Sequence, residues 1–133
     1  MKCGQEHLPA CPGEARTELI RLQSNPLLKP EDLEPTRPDL EVFCTLNPAA
    51  VRLGNETILL VRVGERAIPE KGYVSSVSFD LEAGEFKVRR IPQDDPGLDA
   101  SDPRLMHYRG RALLTSISHL RVARSTDGVH FRF

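Results

Sequence analysis

NPAAVRLGNETILLV (Asn47–Val61) and DPRLMHYRGRALLTS (Asp102–Ser116) align without a gap at an offset of 55 residues. Each opens on a polar residue followed by proline, runs into a strand, turns at or beside a glycine and enters an apolar strand. Each is followed by two further strand-like stretches. After the first come YVSSVSFD (Tyr73–Asp80), which alternates apolar and polar, and EFKVRRI (Glu85–Ile91). After the second come Leu120–Arg124 and, past the turn Ser125–Gly128, Val129–Phe133. Four strands per unit at this period is the pattern of β-propeller blades, whose repeats run to ~40–50 residues. The plainer alternative is that two hairpins share a pattern by chance. The expected fold is all-β, with two propeller blades at about 41–92 and 102–133 separated by the polar loop Pro92–Ser101.

Upstream of the blades the texture differs. Met1–Gly13 carries no periodicity and reads as a tail. EARTELIRLQ (Glu14–Gln23) predicts a short helix, and Asn25-Pro26 blocks its continuation because a residue before proline is pushed out of the helical region. KPEDLEPTRPD (Lys29–Asp39) holds three prolines among charges and predicts an extended arm. Residues 1–40 are thus expected to lead into one incomplete domain at 41–133. Two blades do not close a ring, since a propeller needs about 4–8 to remove its sheet edges. The expectation is a truncated propeller, with completion by association as the alternative.

Composition narrows the function. Lys and Arg number 18 against 19 Asp and Glu, for a net charge of −1, so no basic excess is available to neutralise a nucleic-acid backbone. No stretch approaches the ~20 apolar residues that cross a bilayer, and Met1–Pro30 lacks the apolar run of a signal peptide. Cys3, Cys11 and Cys44 are an odd set without repeated spacing, which argues for a reducing cytoplasm rather than a disulfide scaffold. Cys3, His7 and Cys11 lack the close cysteine pairs of zinc sites, so no metal is expected.

The repeat places Asn47 and Asp102 at the same point of successive units, just before the innermost strand. In propellers those loop ends gather around the central channel, where ligands bind. A carboxylate there, followed by Pro103 and Arg104, could protonate a leaving sugar oxygen if a funnel that limits water keeps its pKa high. The bland alternative is an Asp-Pro turn.

In combination these pieces resemble glycoside hydrolase family 130, the β-mannoside phosphorylases and related mannosidases. The matching stretches are RLQSNPLLKPEDL (Arg21–Leu33), NPAAV through ETILLVRV (Asn47–Val63), SDPRL (Ser101–Leu105) and LRVARSTDGVHF (Leu120–Phe131). The resemblance implies a five-bladed propeller, of which this chain is the N-terminal portion, with a sugar pocket at its axis. It implies Asp102 as the proton donor, acting through a sugar hydroxyl, while inorganic phosphate attacks the anomeric carbon with inversion and releases mannose 1-phosphate. Asn47 and Arg62 are then sugar-binding residues, Arg66 is a further candidate of the same kind, and Arg104 holds the Asp102 carboxylate. His119 departs from the phosphorylase pattern, which points toward the mannosidases, although a histidine beside a strand is more often structural.

The implied partner is a mannoside or oligosaccharide, with phosphate as co-substrate and no other cofactor. Water in place of phosphate, hence hydrolysis, stays open. So does a non-catalytic carbohydrate-binding or interaction module of two blades, which would form a homo-oligomer to cover its sheet edges. Neighbouring five-bladed enzymes acting on arabinans or fructans place a carboxylate where this sequence has Asn47, which argues against them.

Overall fold

Residues 21–133 are described by a computed structural model, and all of their regular structure is β apart from one 3-10 turn at Pro30–Asp32. The helix expected over Glu14–Gln23 lies mostly outside these residues, and its last positions, 21–23, are not helical. Cys3, His7 and Cys11 lie outside them as well.

Eight strands follow: β1 (Leu40–Leu53), β2 (Glu56–Ala67), β3 (Tyr73–Asp80), β4 (Glu85–Pro92), β5 (Leu98–Asp99), β6 (Leu105–Tyr108), β7 (Arg111–Leu114) and β8 (Ser116–Ser125). They form three antiparallel sheets, β1-β2-β8, β3-β4 and β5-β6-β7. Both repeated stretches are hairpins. Gly54 turns the first with φ +61, matching the two-residue hairpin turn that places glycine first, and Arg109-Gly110 turns the second with φ +49 and +76.

The pairing beyond the hairpins differs from four consecutive strands per sheet. β8 runs along β2 from Thr57↔Ser125 to Arg66↔Ser116, while β3 and β4 pair only with each other. Apolar parity accompanies this pairing: Val61, Val63 and Ala67 on β2 and Ala123 on β8 turn to one face and are all buried, while Val77 of β3 packs on Leu40 and Ala67 through side chains alone. Strands β3–β7 therefore form an excursion between two strands of one sheet.

That sheet packs one face on a core of Leu33, Val61, Val63 and Ala123, with Leu28, Val42, Leu59 and Phe131 against it. A second cluster of Leu40, Ala67 and Val77, backed by Phe86, Val88 and Ile117, joins the sheet to the β3-β4 hairpin. The expected strand Val129–Phe133 is reduced to a single bridge, Arg124↔Arg132. The Asp127 carboxylate accepts the N–H groups of Val129 and His130 at 2.9 and 2.8 Å and the Ser125 hydroxyl at 2.8 Å. These bonds hold the chain in a turn and deliver Phe131 to the core.

Candidate functional site

Residues paired across an antiparallel ladder share a face, so the register identifies what stands opposite the core. On that open face lie Leu60, Arg62 and Arg66 of β2 with Leu46, Leu120 and Ser118 beside them. Two irregularities in β1 shape it. Register passes from Leu46↔Arg62 to Ala49↔Leu60, so Asn47 and Pro48 together oppose Val61. Pro48 has no N–H to give the ladder, and Asn47 takes φ +34, a conformation asparagine tolerates better than most residues. Asn47 is exposed, next in sequence to Leu46, the residue that pairs with Arg62. Arg62 Nε donates to Ser118 Oγ at 3.3 Å, a diagonal contact across β2 and β8. Arg62 and Ser118 thus form a polar pair beside Leu46, Leu60 and Leu120 on this face, with Ser118 a residue the sequence did not single out.

The second irregularity sits at Phe43, an extra residue between Val42↔Glu65 and Cys44↔Gly64. A Cβ on Gly64 would lie 2.4 Å from Cys44 Sγ and 3.0 Å from the Phe43 ring, so only glycine lets both side chains settle there. Arg66 lies over the Phe43 ring, 5.3 Å from its centroid, and its Nε donates to Glu41 Oε1 at 2.7 Å. Arg66 and Arg104 then line a common cleft of about 370 Å³ with Phe43, Tyr73, Pro103 and Thr115.

Asp102 lines an adjoining cavity of about 420 Å³ that shares Val74, Pro103 and Thr115 with the first. Its Oδ1 accepts the Arg104 backbone N–H at 2.8 Å, and the Arg104 Nε lies 3.6 Å away. Thr115 Oγ1 donates to the Pro103 carbonyl at 2.7 Å, tying the turn to the end of β7. The Arg104 N–H, with the guanidinium's charge, holds the Asp102 carboxyl below the usual carboxylate range. This is the reverse of the water-limited, raised-pKa environment expected for a proton donor.

The group the sequence missed is Glu65, fully buried on the core face of β2. It accepts the Thr36 N–H at 3.1 Å and hydroxyl at 2.6 Å, His119 Nε2–H at 3.0 Å and Arg121 at 2.9 Å. An ionised carboxylate only accepts, so His119 carries its proton on Nε2 here. Burial pushes the Glu65 pKa up, but the bonds from Thr36 and His119 outweigh it and the net shift is downward. Arg121 also donates to the Glu34 carbonyl at 2.7 Å, so the network straps the arm preceding β1 across the sheet. His119 is therefore occupied on the core face, away from Arg62. A charged residue in the buried parity of V-x-V-x-E-x-A (Val61–Ala67) was the available signal.

A larger cavity, about 870 Å³, is lined by Glu56, Arg124, Asp127 and His130 among others. Within it Arg124 pairs with Glu56 at 3.0 Å and His130 with Asp127 at 2.7 Å, and it contains none of the sequence candidates.

No family model matches the chain. A β-1,2-mannobiose phosphorylase of Listeria innocua serovar 6a is 32% identical over 118 residues, which is 85% of this chain and 33% of that protein. The structure of the Listeria innocua β-1,2-mannobiose phosphorylase in complex with β-1,2-mannobiose matches with a TM-score of 0.73 at 32% identity, covering 84% of this chain and 33% of that one. The chain thus spans about a third of the length of the relative it matches. No helix among the described residues is long and apolar enough to cross a membrane.

Proposed function

The chain is homologous to a phosphorylase of glycoside hydrolase family 130 over most of its length, and from that premise we propose that it builds part of the sugar site of a β-mannoside phosphorylase. In the proposed reaction inorganic phosphate attacks the anomeric carbon of the mannoside with inversion. The glycosidic bond breaks, the leaving oxygen takes a proton, and mannose 1-phosphate is released. Asn47 and Arg62 bind hydroxyls of the sugar that is attacked, with Ser118 holding the Arg62 guanidinium in place. Arg66 and Arg104 serve the neighbouring cleft.

The observation that carries this reading is the Asn47–Pro48 bulge beside the Arg62–Ser118 pair. It puts an exposed amide at the bulge and a guanidinium held by a hydroxyl on the neighbouring strands, donors and acceptors of the kind that a neutral polyol needs. The five-bladed ring is part of the proposal. In it β1, β2 and β8 belong to one blade, and β3–β7 reach from that blade toward the substrate.

The proton-donor role of Asp102 enters with a condition. A general acid works near its own pKa, and the Arg104 N–H and guanidinium hold the Asp102 carboxyl below the usual carboxylate range. The competing role for Asp102 is that of the acceptor that shapes the Ser101–Arg104 turn. Asp102→Asn in the whole protein decides between the two. A donor role predicts a fall in turnover of about 10²–10⁴ with sugar binding retained. Turnover within tenfold of wild type assigns Asp102 to the turn.

The reading as a whole is tested by following β-1,2-mannobiose cleavage with and without phosphate. Phosphate-dependent release of mannose 1-phosphate is expected. Cleavage that ignores phosphate replaces phosphorolysis with hydrolysis, and sugar binding without cleavage leaves a carbohydrate-binding module.

A further inference from the structure

We propose that Thr115 is a positioning residue, fixing the turn that carries Asp102 against the sheet that carries Asn47 and Arg62. The proposal rests on the β-mannoside reading above, with Asp102 acting on the substrate, and adds a residue that works through Asp102.

Thr115 stands where the chain changes sheets. Leu114, before it, closes the β6-β7 ladder opposite Leu105, and Ser116, after it, opens β8 opposite Arg66 of β2. One residue therefore joins the sheet whose β5-β6 connection bears Asp102 to the sheet that holds Arg62 and its partner Ser118. Thr115 is half-buried and borders both cavities, the one lined by Arg66 and Arg104 and the one lined by Asp102.

Its backbone and its side chain both bind the turn. The Thr115 N–H donates to the Arg104 carbonyl at 3.3 Å, which carries the β6-β7 pairing one step past Leu105. The hydroxyl donates to the Pro103 carbonyl at 2.7 Å, one residue further, where the chain has already turned away toward β8. Among the described residues, the other hydrogen bonds of Ser101–Arg104 run between near neighbours. Asp99 accepts the Ser101 N–H at 3.1 Å, and Asp102 accepts the Arg104 N–H at 2.8 Å. Bonds of that range set the shape of a turn and leave its orientation free. All four residues are exposed, so burial does little to hold them. Orientation comes from Thr115.

A proton donor must come within hydrogen-bond reach of its target, and a misplacement of about 1 Å can cost on the order of 10²-fold in rate. Loss of the Thr115 hydroxyl should therefore fall on turnover. Sugar affinity should hold, because Asn47 and Arg62 bind from strands whose ladders do not use that hydroxyl.

The test measures phosphate-dependent cleavage of β-1,2-mannobiose by the whole protein. Thr115→Val keeps the branched shape and removes the donor, and is expected to lower kcat about tenfold or more with KM little changed. Thr115→Ser, which restores the hydroxyl, should recover most of that loss. In an Asp102→Asn background Thr115→Val should cost little more, since a residue acting through Asp102 has nothing left to position. Thermal unfolding of each variant separates lost positioning from lost fold, and Thr115→Ala serves if the valine variant does not fold. Wild-type turnover in Thr115→Val overturns the positioning role and leaves the β-mannoside reading standing. An equal further loss in the Asp102→Asn background does the same. Turnover within tenfold of wild type in Asp102→Asn also overturns it, by removing what Thr115 would position. No cleavage by wild type overturns both.

Discussion

Glu65 shows how a single side chain sets local structure. A buried carboxylate forfeits its hydration, and here Thr36, His119 and Arg121 replace that hydration with hydrogen bonds. Removing the acceptor would leave the Arg121 guanidinium facing a core position without its partner. Glu65→Ala is therefore expected to destabilise the protein by about 3–5 kcal/mol in urea unfolding. A loss below ~1 kcal/mol would show that water takes the carboxylate's place. Arg62 stands at the other extreme, exposed and held by one hydroxyl. Its replacement by lysine, which lacks the planar fork of donors, should reduce sugar affinity with little change in unfolding midpoint.

Among the elements, the decisive feature is how the β3-β4 hairpin attaches. It shares no ladder with the β1-β2-β8 sheet and is joined to it through Leu40, Ala67 and Val77, together with Arg37, which donates to the Phe86 carbonyl. Leu40 is 1% exposed at the centre of that junction. Leu40→Ala should cost about 2–5 kcal/mol, measured by urea denaturation, through lost burial and the cavity left behind. Gly54 sits at φ +61 in the β1-β2 turn, and a Cβ added there would meet nothing within 4 Å, so backbone strain alone opposes substitution. Gly54→Ala should cost on the order of 1 kcal/mol, and an unchanged midpoint would mean the turn relaxes into another type.

The whole molecule registers these groups through pH. The folded-state pKa of Glu65 lies below its ordinary value of 4.5. Its contribution to stability is thus complete above about 4.5 and is lost as pH falls through the lower folded value. Asp80, hydrogen-bonded by Lys87 and the turn amides, is lowered to about 2 and acts in the same direction from 3.8 downward. Stability should decline on acidification below pH 4.5, and Glu65→Gln should flatten that decline while the aspartate part persists. Equal slopes in the two proteins would remove Glu65 from the acid response.

Much of the fold was legible because it depends on short-range pattern. Alternation in YVSSVSFD, the glycines at 54 and 110 and the Asp127-Gly128 turn each act within a few residues, and the corresponding hairpins and turn are present. Of the residues proposed to bind sugar, Asn47 was marked by the repeat, whereas Arg62 and Arg66 were reached only through resemblance, since an exposed arginine leaves no periodic trace. The sequence by itself determined the all-β character and the identity of the hairpins. Tertiary structure alone decided that β8 returns to β2 across the whole excursion from β3 to β7 and that Glu65 gathers the arm and the sheet. The reason is physical: strand pairing between distant segments, and the solvation of a carboxylate, depend on which surfaces meet after the chain has closed on itself.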